Sequence, residues 1–219
     1  MARFFDILLA GIALLMLSPL FFIVIIILRF TGENKIFYFQ ERVGKKEKIF
    51  SLIKFVTMVE NSEEIGGDVT IKNDPRILPF GSFLRNSKIN ELPQLINIII
   101  GDMSIVGFRP QTKNSFNLFS DSSRIKISEN RPGLTGIGSL YFSNEEELLD
   151  AKEGRDINFY ESIIVPYKEN LEIWWCLNNN IGNYFYCIFL TALAVFVNRS
   201  LVEKLLWKSL PKPPEELTI

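Results

Sequence analysis

The stretch "FFDILLAGIALLMLSPLFFIVIIILRF", Phe4 to Phe30, carries no charge from Ile7 to Leu28. That length reaches the roughly 20 apolar residues needed to cross a bilayer core. It is too long and too apolar beyond its proline for a signal peptide, and it lacks a small-x-small cleavage site. Ser18-Pro19 interrupts it. Proline has no N–H and clashes with the carbonyl one turn back, so a kink is expected there. Ser18 can hydrogen-bond into its own turn and ease the bend. The two arms, about 14 and 10 residues at about 1.5 Å each, are individually too short for a core of about 30 Å. Arg3 lies before the stretch, and Arg29 and Lys35 after it. Basic residues prefer the cytoplasmic side, and a re-entrant hairpin bent at Ser18-Pro19 keeps both ends there. A kinked transmembrane helix is the alternative. Asp6 is tolerable near headgroups in either case, and both readings put the chain at a membrane.

The chain has 219 residues, enough for one domain with a substantial core. Lys plus Arg number 24 against 25 Asp plus Glu, so no global field recruits nucleic acid. Histidine is absent. That excludes histidine general bases and His-containing zinc sites, leaving carboxylates, Lys, Arg, hydroxyls or a hard metal. Cys176 and Cys187 have no close cysteine partner and sit among apolar residues, where they read as small hydrophobes.

Residues 36–56 read as two short strands around "VGKKEK", with Gly44 at the turn and Lys45, Lys46 and Lys48 around it. Residues 60–75 read as a polar loop, and 80–85 as a short helix. "NSKINELPQLINIIIG" reads as the clearest helix of the water-exposed part, with Ser87 as N-cap and Gly101 as its stop. Pro93 is tolerable only in its first turns. Asn90 and Glu91 would then occupy the first turn, where free N–H groups favour anions, although an acidic residue there is also ordinary helix chemistry. "RPGLTGIGS", 131–139, reads as a glycine-rich loop able to cradle a phosphate beside Arg131, or as a plain turn. Residues 115–130 suggest a weak helix and linker, and 144–154 an acidic helix. The apolar run Tyr184 to Val197 is short for a span, so a surface-lying or core helix is expected, with Trp174, Trp175 and Tyr184 suited to a membrane interface. The tail "LPKPPEEL" should be loose. The fold class is thus α+β and mostly helical, with a short β hairpin. Its expected parts are a membrane segment at 1–30, a domain at 31–200 and a tail at 201–219.

Read in order, "SPLF", "FYFQERVG", "SLIKFVTM", "NDPRILPFGSFLR", "NELPQLINIIIGDMSIVGFRP" and "RPGLTG" resemble the bacterial sugar transferases, the monotopic polyprenyl-phosphate phosphoglycosyl transferases. The resemblance covers residues 1 to about 200. It implies a re-entrant helix bent at Ser-Pro and a site at the cytoplasmic face of the bacterial inner membrane. It also implies transfer of sugar-1-phosphate from a UDP-sugar to polyprenyl (undecaprenyl) phosphate in envelope glycan assembly. In that family an Asp-Glu pair opens the "ELPQL" helix. The Asp attacks the β-phosphorus, UMP leaves, and polyprenyl phosphate resolves the covalent intermediate. The Glu, here Glu91, is linked with Mg2+. The resemblance also carries over Lys54, Arg76, Arg85, Arg109 and Arg131 as substrate or phosphate contacts, and Asp102 as a metal ligand or as a group orienting Arg109. A homodimer through the aromatic C-terminal helix, or a partner protein of the glycan pathway, completes the implied set of partners.

The sequence departs from that pattern where the chemistry lies. Asn90 stands at the position of the nucleophilic Asp, Val56 and Ser143 where the family carries arginines, and Phe108 where it carries proline. A carboxamide oxygen is uncharged and a poor nucleophile, so the covalent route should fail at Asn90. The alternative to an active transferase is therefore an inactive homologue, or an inactivated variant, that binds substrate or acts as a membrane scaffold. A single engineered change would explain Asn90 but not Val56 and Ser143.

Overall fold

The computed structural model of the chain describes residues 2–31, 34–62, 74–143, 157–194, 196–197 and 199–217. Most of the expected polar loop and all of the expected acidic helix lie outside these residues. The chain forms two compact units. One comprises Ile7–Glu41 and Ser51–Gly101; the other comprises Met1–Asp6, Arg42–Phe50 and Asp102–Ile219.

Helix α1, Ala2–Thr31, is one continuous helix with Pro19 inside it. Pro19 cannot donate to the Leu15 carbonyl one turn back. The Ser18 hydroxyl donates to that same carbonyl at 2.8 Å, so the acceptor orphaned by the proline is satisfied locally. The helix is long and apolar enough to cross a membrane, and only 11% of its most apolar window is buried within the protein. A core helix of a water-soluble domain would be mostly covered. Leu8, Ile12, Leu15, Met16, Phe22 and Ile26 instead stand exposed.

In the first unit, Val24 and Leu28 of α1 pack with Phe55 and Leu84, and Phe37 stacks on Phe55 at 5.5 Å between ring centroids. Full burial of each such side chain contributes about 2–3 kcal/mol. Phe37 and Phe55 belong to the expected hairpin, β1 (Phe37–Val43) and β2 (Ile49–Phe55), closed by a tight 3-10 turn at Lys45–Glu47. Leu84 lies on α2, Pro79–Asn86.

The helix expected from Ser87 does not begin there. Ser87 caps the C-terminus of α2, and Lys88 takes the left-handed conformation at φ 59°. A 3-10 turn, Ile89–Glu91, follows, and α3 runs only over Gln94–Ile100. The cause is Pro93, which has no N–H for a helical bond to Ile89. The Leu92 N–H instead donates to the Ile89 carbonyl, closing a tighter three-residue turn. Gly101 ends α3 at φ 105°, as expected for a left-handed stop. Fully buried Asn97 ties α3 to β2, its Nδ2 donating to the Ser51 carbonyl at 2.8 Å and its Oδ1 accepting from the Ile53 N–H at 3.0 Å.

The second unit is built around a parallel pair, β3 (Ser104–Val106) and β4 (Gly133–Thr135). The glycine-rich loop expected at 131–139 is therefore a strand running into helix α6, Ile137–Tyr141. Gly133 and Gly136 are there for close approach to the backbone of Gly107. A Cβ on Gly133 would come within 2.1 Å of the Gly107 nitrogen. The Gly133 N–H donates to the Phe108 carbonyl at 2.8 Å, so it is not available to cradle a phosphate. Helices α4 (Lys113–Phe116) and α5 (Asp121–Ser128) come between the two strands in sequence. A π turn at Tyr160–Ile164 leads into α7, Val165–Asn178; α8, Ile181–Ala194, and α9, Arg199–Leu205, complete the unit.

Trp174, Trp175 and Tyr184, read as interfacial, are instead core residues, with exposures of 8%, 1% and 1%. They pack with Ile137, Leu171, Cys187 and Leu190. Cys187 behaves as the small hydrophobe expected of it: it is fully buried, and burial pushes its thiol up to about 12. The opposite face of α8 leaves Phe185 and Phe189 exposed. The tail is docked rather than loose. Trp207 lies edge-on to Tyr186, the Pro211 carbonyl accepts from the Tyr167 hydroxyl at 2.9 Å, and Leu217 is buried. Prolines stop a helix but do not prevent packing, and here the apolar residues on either side of them, Trp207, Leu210 and Leu217, pack on the core.

Candidate functional site

The residues singled out in sequence divide between the two units: Lys54, Arg76, Arg85, Asn90 and Glu91 in the first, and Asp102, Arg109 and Arg131 in the second.

In the first unit, Asn90 lies on the 3-10 turn, 7% exposed, and its Oδ1 is buried with no hydrogen-bond partner among the described residues. Leaving such an acceptor unmatched costs about 1–3 kcal/mol, and groups of this kind concentrate where a protein acts rather than where it only packs. Glu91 beside it is half-buried, and its carboxylate has no hydrogen bond or ion pair among the described residues. Arg85, in the last turn of α2, is half-buried and its guanidinium is likewise uncommitted. An orphaned oxygen, a spare carboxylate and a spare guanidinium thus fall within seven residues, on two elements packed together. Lys54 is part-committed, its Nζ donating to Gln40 Oε1 at 3.3 Å.

Arg76 does not belong with them. It is 8% exposed, and its Nε and Nη2 grip Asp74 while Nη1 donates to the Ser62 carbonyl. The Asp74 hydrogen bond raises its already high pKa. Every arm of the fork is in use, so this arginine holds the backbone around 74–76 rather than a phosphate. Arg76→Lys should lower stability by about 2 kcal/mol, because a lysine cannot reproduce the bidentate pair. Equilibrium denaturation in detergent, run beside nucleotide binding, checks this: the loss should fall on the first measurement and not the second.

In the second unit, Phe108 bridges Pro132, which sets Arg109 and Arg131 on the residues flanking one paired position. The Arg109 side chain is exposed and makes no hydrogen bond or ion pair among the described residues. Arg131 and Asp102 are already engaged within the protein. Phe108 is 2% exposed and packs with Val43, Phe116, Phe119, Ile127 and Val165, so the ring at this position fills a core.

Two buried carboxylates escaped the sequence reading. Asp6 is 2% exposed and accepts from Ser104 Oγ at 2.8 Å, the Ile105 N–H at 2.9 Å and the Tyr184 hydroxyl at 2.8 Å. Burial, and then the bond to Asp6, push the Tyr184 phenol well above its usual range, so it remains a donor. Glu172 on α7 is 3% exposed; burial raises it to about 8, against the smaller opposing effects of the Arg109 N–H, Lys168 and Arg109. The available signal was a lone acid within an apolar run, "FFDILL" for Asp6 and "LEIWWC" for Glu172. Acids are almost never fully buried without a purpose for their oxygens.

Residues 1–198 match the family described as bacterial sugar transferase. The chain belongs to that family. The exopolysaccharide production protein ExoY of Rhizobium meliloti (strain 1021) is 35% identical over 158 residues, which are 65% of this chain and 70% of the relative. The undecaprenyl-phosphate galactose phosphotransferase of Salmonella typhimurium is 34% identical over 158 residues, 65% of this chain and 33% of that protein. The UDP-N-acetylgalactosamine-undecaprenyl-phosphate N-acetylgalactosaminephosphotransferase of Aeromonas hydrophila is 29% identical over 174 residues, 78% of this chain and 40% of that protein. The chain is thus a sugar transferase by family, and the family transfers sugar phosphates to undecaprenyl phosphate. Its mostly helical α+β fold, short hairpin and single N-terminal apolar helix agree with membrane association.

Proposed function

We propose that this sugar transferase family member binds a UDP-sugar and polyprenyl phosphate at the cytoplasmic face of the bacterial inner membrane, and that its covalent step is blocked at Asn90. The observation that carries this reading is the buried Asn90 carboxamide, whose Oδ1 has no partner among the described residues, at the position the family resemblance gives to the nucleophilic Asp. The family reaction begins with a carboxylate attacking the β-phosphorus, and two like charges must approach each other. An amide removes that repulsion together with the nucleophile, so substrate can rest at the site without forming the acyl phosphate.

The donor set suits magnesium in a limited way. Among the described residues no group of three acids is gathered for a metal. Magnesium is usually held by one or two carboxylates and completed by substrate phosphates, and the uncommitted Glu91 carboxylate is such a ligand. Bound there, it would offset diphosphate charge. In the first unit Arg85 would take phosphate oxygens through paired N–H donors; in the second, Arg109 and Arg131 are phosphate contacts by the family resemblance alone. Helix α1 would enter and leave the same leaflet, with the Ser18–Leu15 bond easing the turn at Pro19.

The test is retention without reaction. UDP should bind the detergent-solubilised chain, and removal of Mg2+ should weaken it about tenfold or more, as read by calorimetry. After incubation with UDP-sugars, the intact mass should show no added sugar phosphate. A covalent adduct, or UDP affinity no different from that of an unrelated membrane protein, would overturn the reading.

A further inference from the structure

Glu172 has no place in that account, although it is a fully buried acid beneath an arginine the account uses. Its Oε1 lies 3.5 Å from the Arg109 main-chain nitrogen, a long contact to the N–H of that residue. On its other side stands Gly138, where a Cβ would fall 2.5 Å from the same oxygen. A side chain at 138 would push against that oxygen, so the carboxyl as it stands is seated between the start of α6 and the Phe108–Pro110 segment. Oε2 is buried and has no hydrogen-bond partner among the described residues. Phe108 is fixed on both sides, by its core contacts and by the bond from Gly133. Pro110 has no N–H, which leaves the Arg109 N–H as the donor through which this turn can be held.

We propose that Glu172 is a positioning residue: its buried carboxyl fixes the main chain at Arg109 so that the exposed guanidinium is presented to a phosphate. The phosphate ligand rests on the function proposed above; the main-chain contact does not. Burial without an ion pair is costly for an acid whose only role is to fill space, and Leu or Met would fill it better. With its acidity pushed to about 8, Glu172 is mostly neutral at pH 7, so glutamine is its closest mimic.

The test uses the full chain in detergent micelles with UDP and Mg2+ as the probe. Glu172→Leu should weaken UDP binding about tenfold, and Glu172→Gln should restore most of it. In an Arg109→Ala background, Glu172→Leu should have no further effect, because the group it positions is gone. Equal losses in both backgrounds would mean a general packing defect and overturn the proposal. Hydrogen exchange of the peptide spanning Arg109 gives a reading that needs no ligand. Glu172→Leu should speed exchange there while the α1 peptides are unchanged, and Glu172→Gln should not. Absence of UDP binding by the unaltered chain would sink the proposed function alone; unchanged exchange at Arg109 in Glu172→Leu would sink the positioning role.

Discussion

Given polyprenyl phosphate, Mg2+ and a panel of UDP-sugars, the purified chain is expected to release UMP no faster than its own Glu91→Ala variant. Loss of a nucleophile typically removes several orders of magnitude in rate, and what remains reflects binding and electrostatics alone. Asn90 keeps the volume and position of an aspartate, being 7% exposed on a rigid 3-10 turn, but its oxygen carries no charge. Asn90→Asp should therefore regain a sugar-phosphate adduct visible by mass. Sustained turnover should still lag if, as the family resemblance implies, Val56 and Ser143 replace arginines; Val56 is buried at 8% exposure. An Asn90→Asp chain that cycles at full rate would show that a single group accounts for the loss. Rapid UMP release by the chain with asparagine confirmed at 90 would remove the basis of the proposed function.

Asp6→Ala should be the most destabilising single substitution in the second unit, at about 3–6 kcal/mol. Its carboxylate accepts from Ser104 Oγ, the Ile105 N–H and the Tyr184 hydroxyl, so truncation leaves three buried donors unmatched. Each unmatched donor costs about 1–3 kcal/mol, and the contributions overlap. Tyr184→Phe removes one donor along with its need for a partner and should cost only about 1 kcal/mol. The double variant should be less destabilised than the sum of the two singles. Urea unfolding in a fixed detergent, followed by tryptophan emission from the buried Trp174 and Trp175, measures all three. An Asp6→Ala variant within about 1 kcal/mol of the parent would mean that water replaces the carboxylate without penalty.

The same two acids show where sequence reading stopped. Asp6 looked tolerable near lipid headgroups because its neighbours in sequence are a membrane helix. Its partners are 98 and 178 residues away, and nothing local announces them. Arg76 shows the converse: in sequence a motif arginine looks the same whether its fork faces a ligand or, as in this structure, an aspartate two residues back. The hairpin at 37–55, the short helix over Pro79–Asn86 and the stop at Gly101 were legible, because turn glycines, prolines and alternating apolar residues act through bonds and sterics within a few positions. The glycine-rich stretch after Arg131 was not, since a glycine needed for a turn and one needed for close approach of two strands read alike.

By itself the sequence determined the apolar N-terminal helix and the order of family motifs, because each depends on residue type at a position and on nothing distant. The tertiary structure decided which polar groups are engaged and which are left over. It committed Arg76 to Asp74, left the Asn90 oxygen and the Arg109 guanidinium without hydrogen bonds among the described residues, and enclosed Asp6 and Glu172. Burial and pairing are properties of what lies across a contact, and a chain acquires them only when distant segments meet.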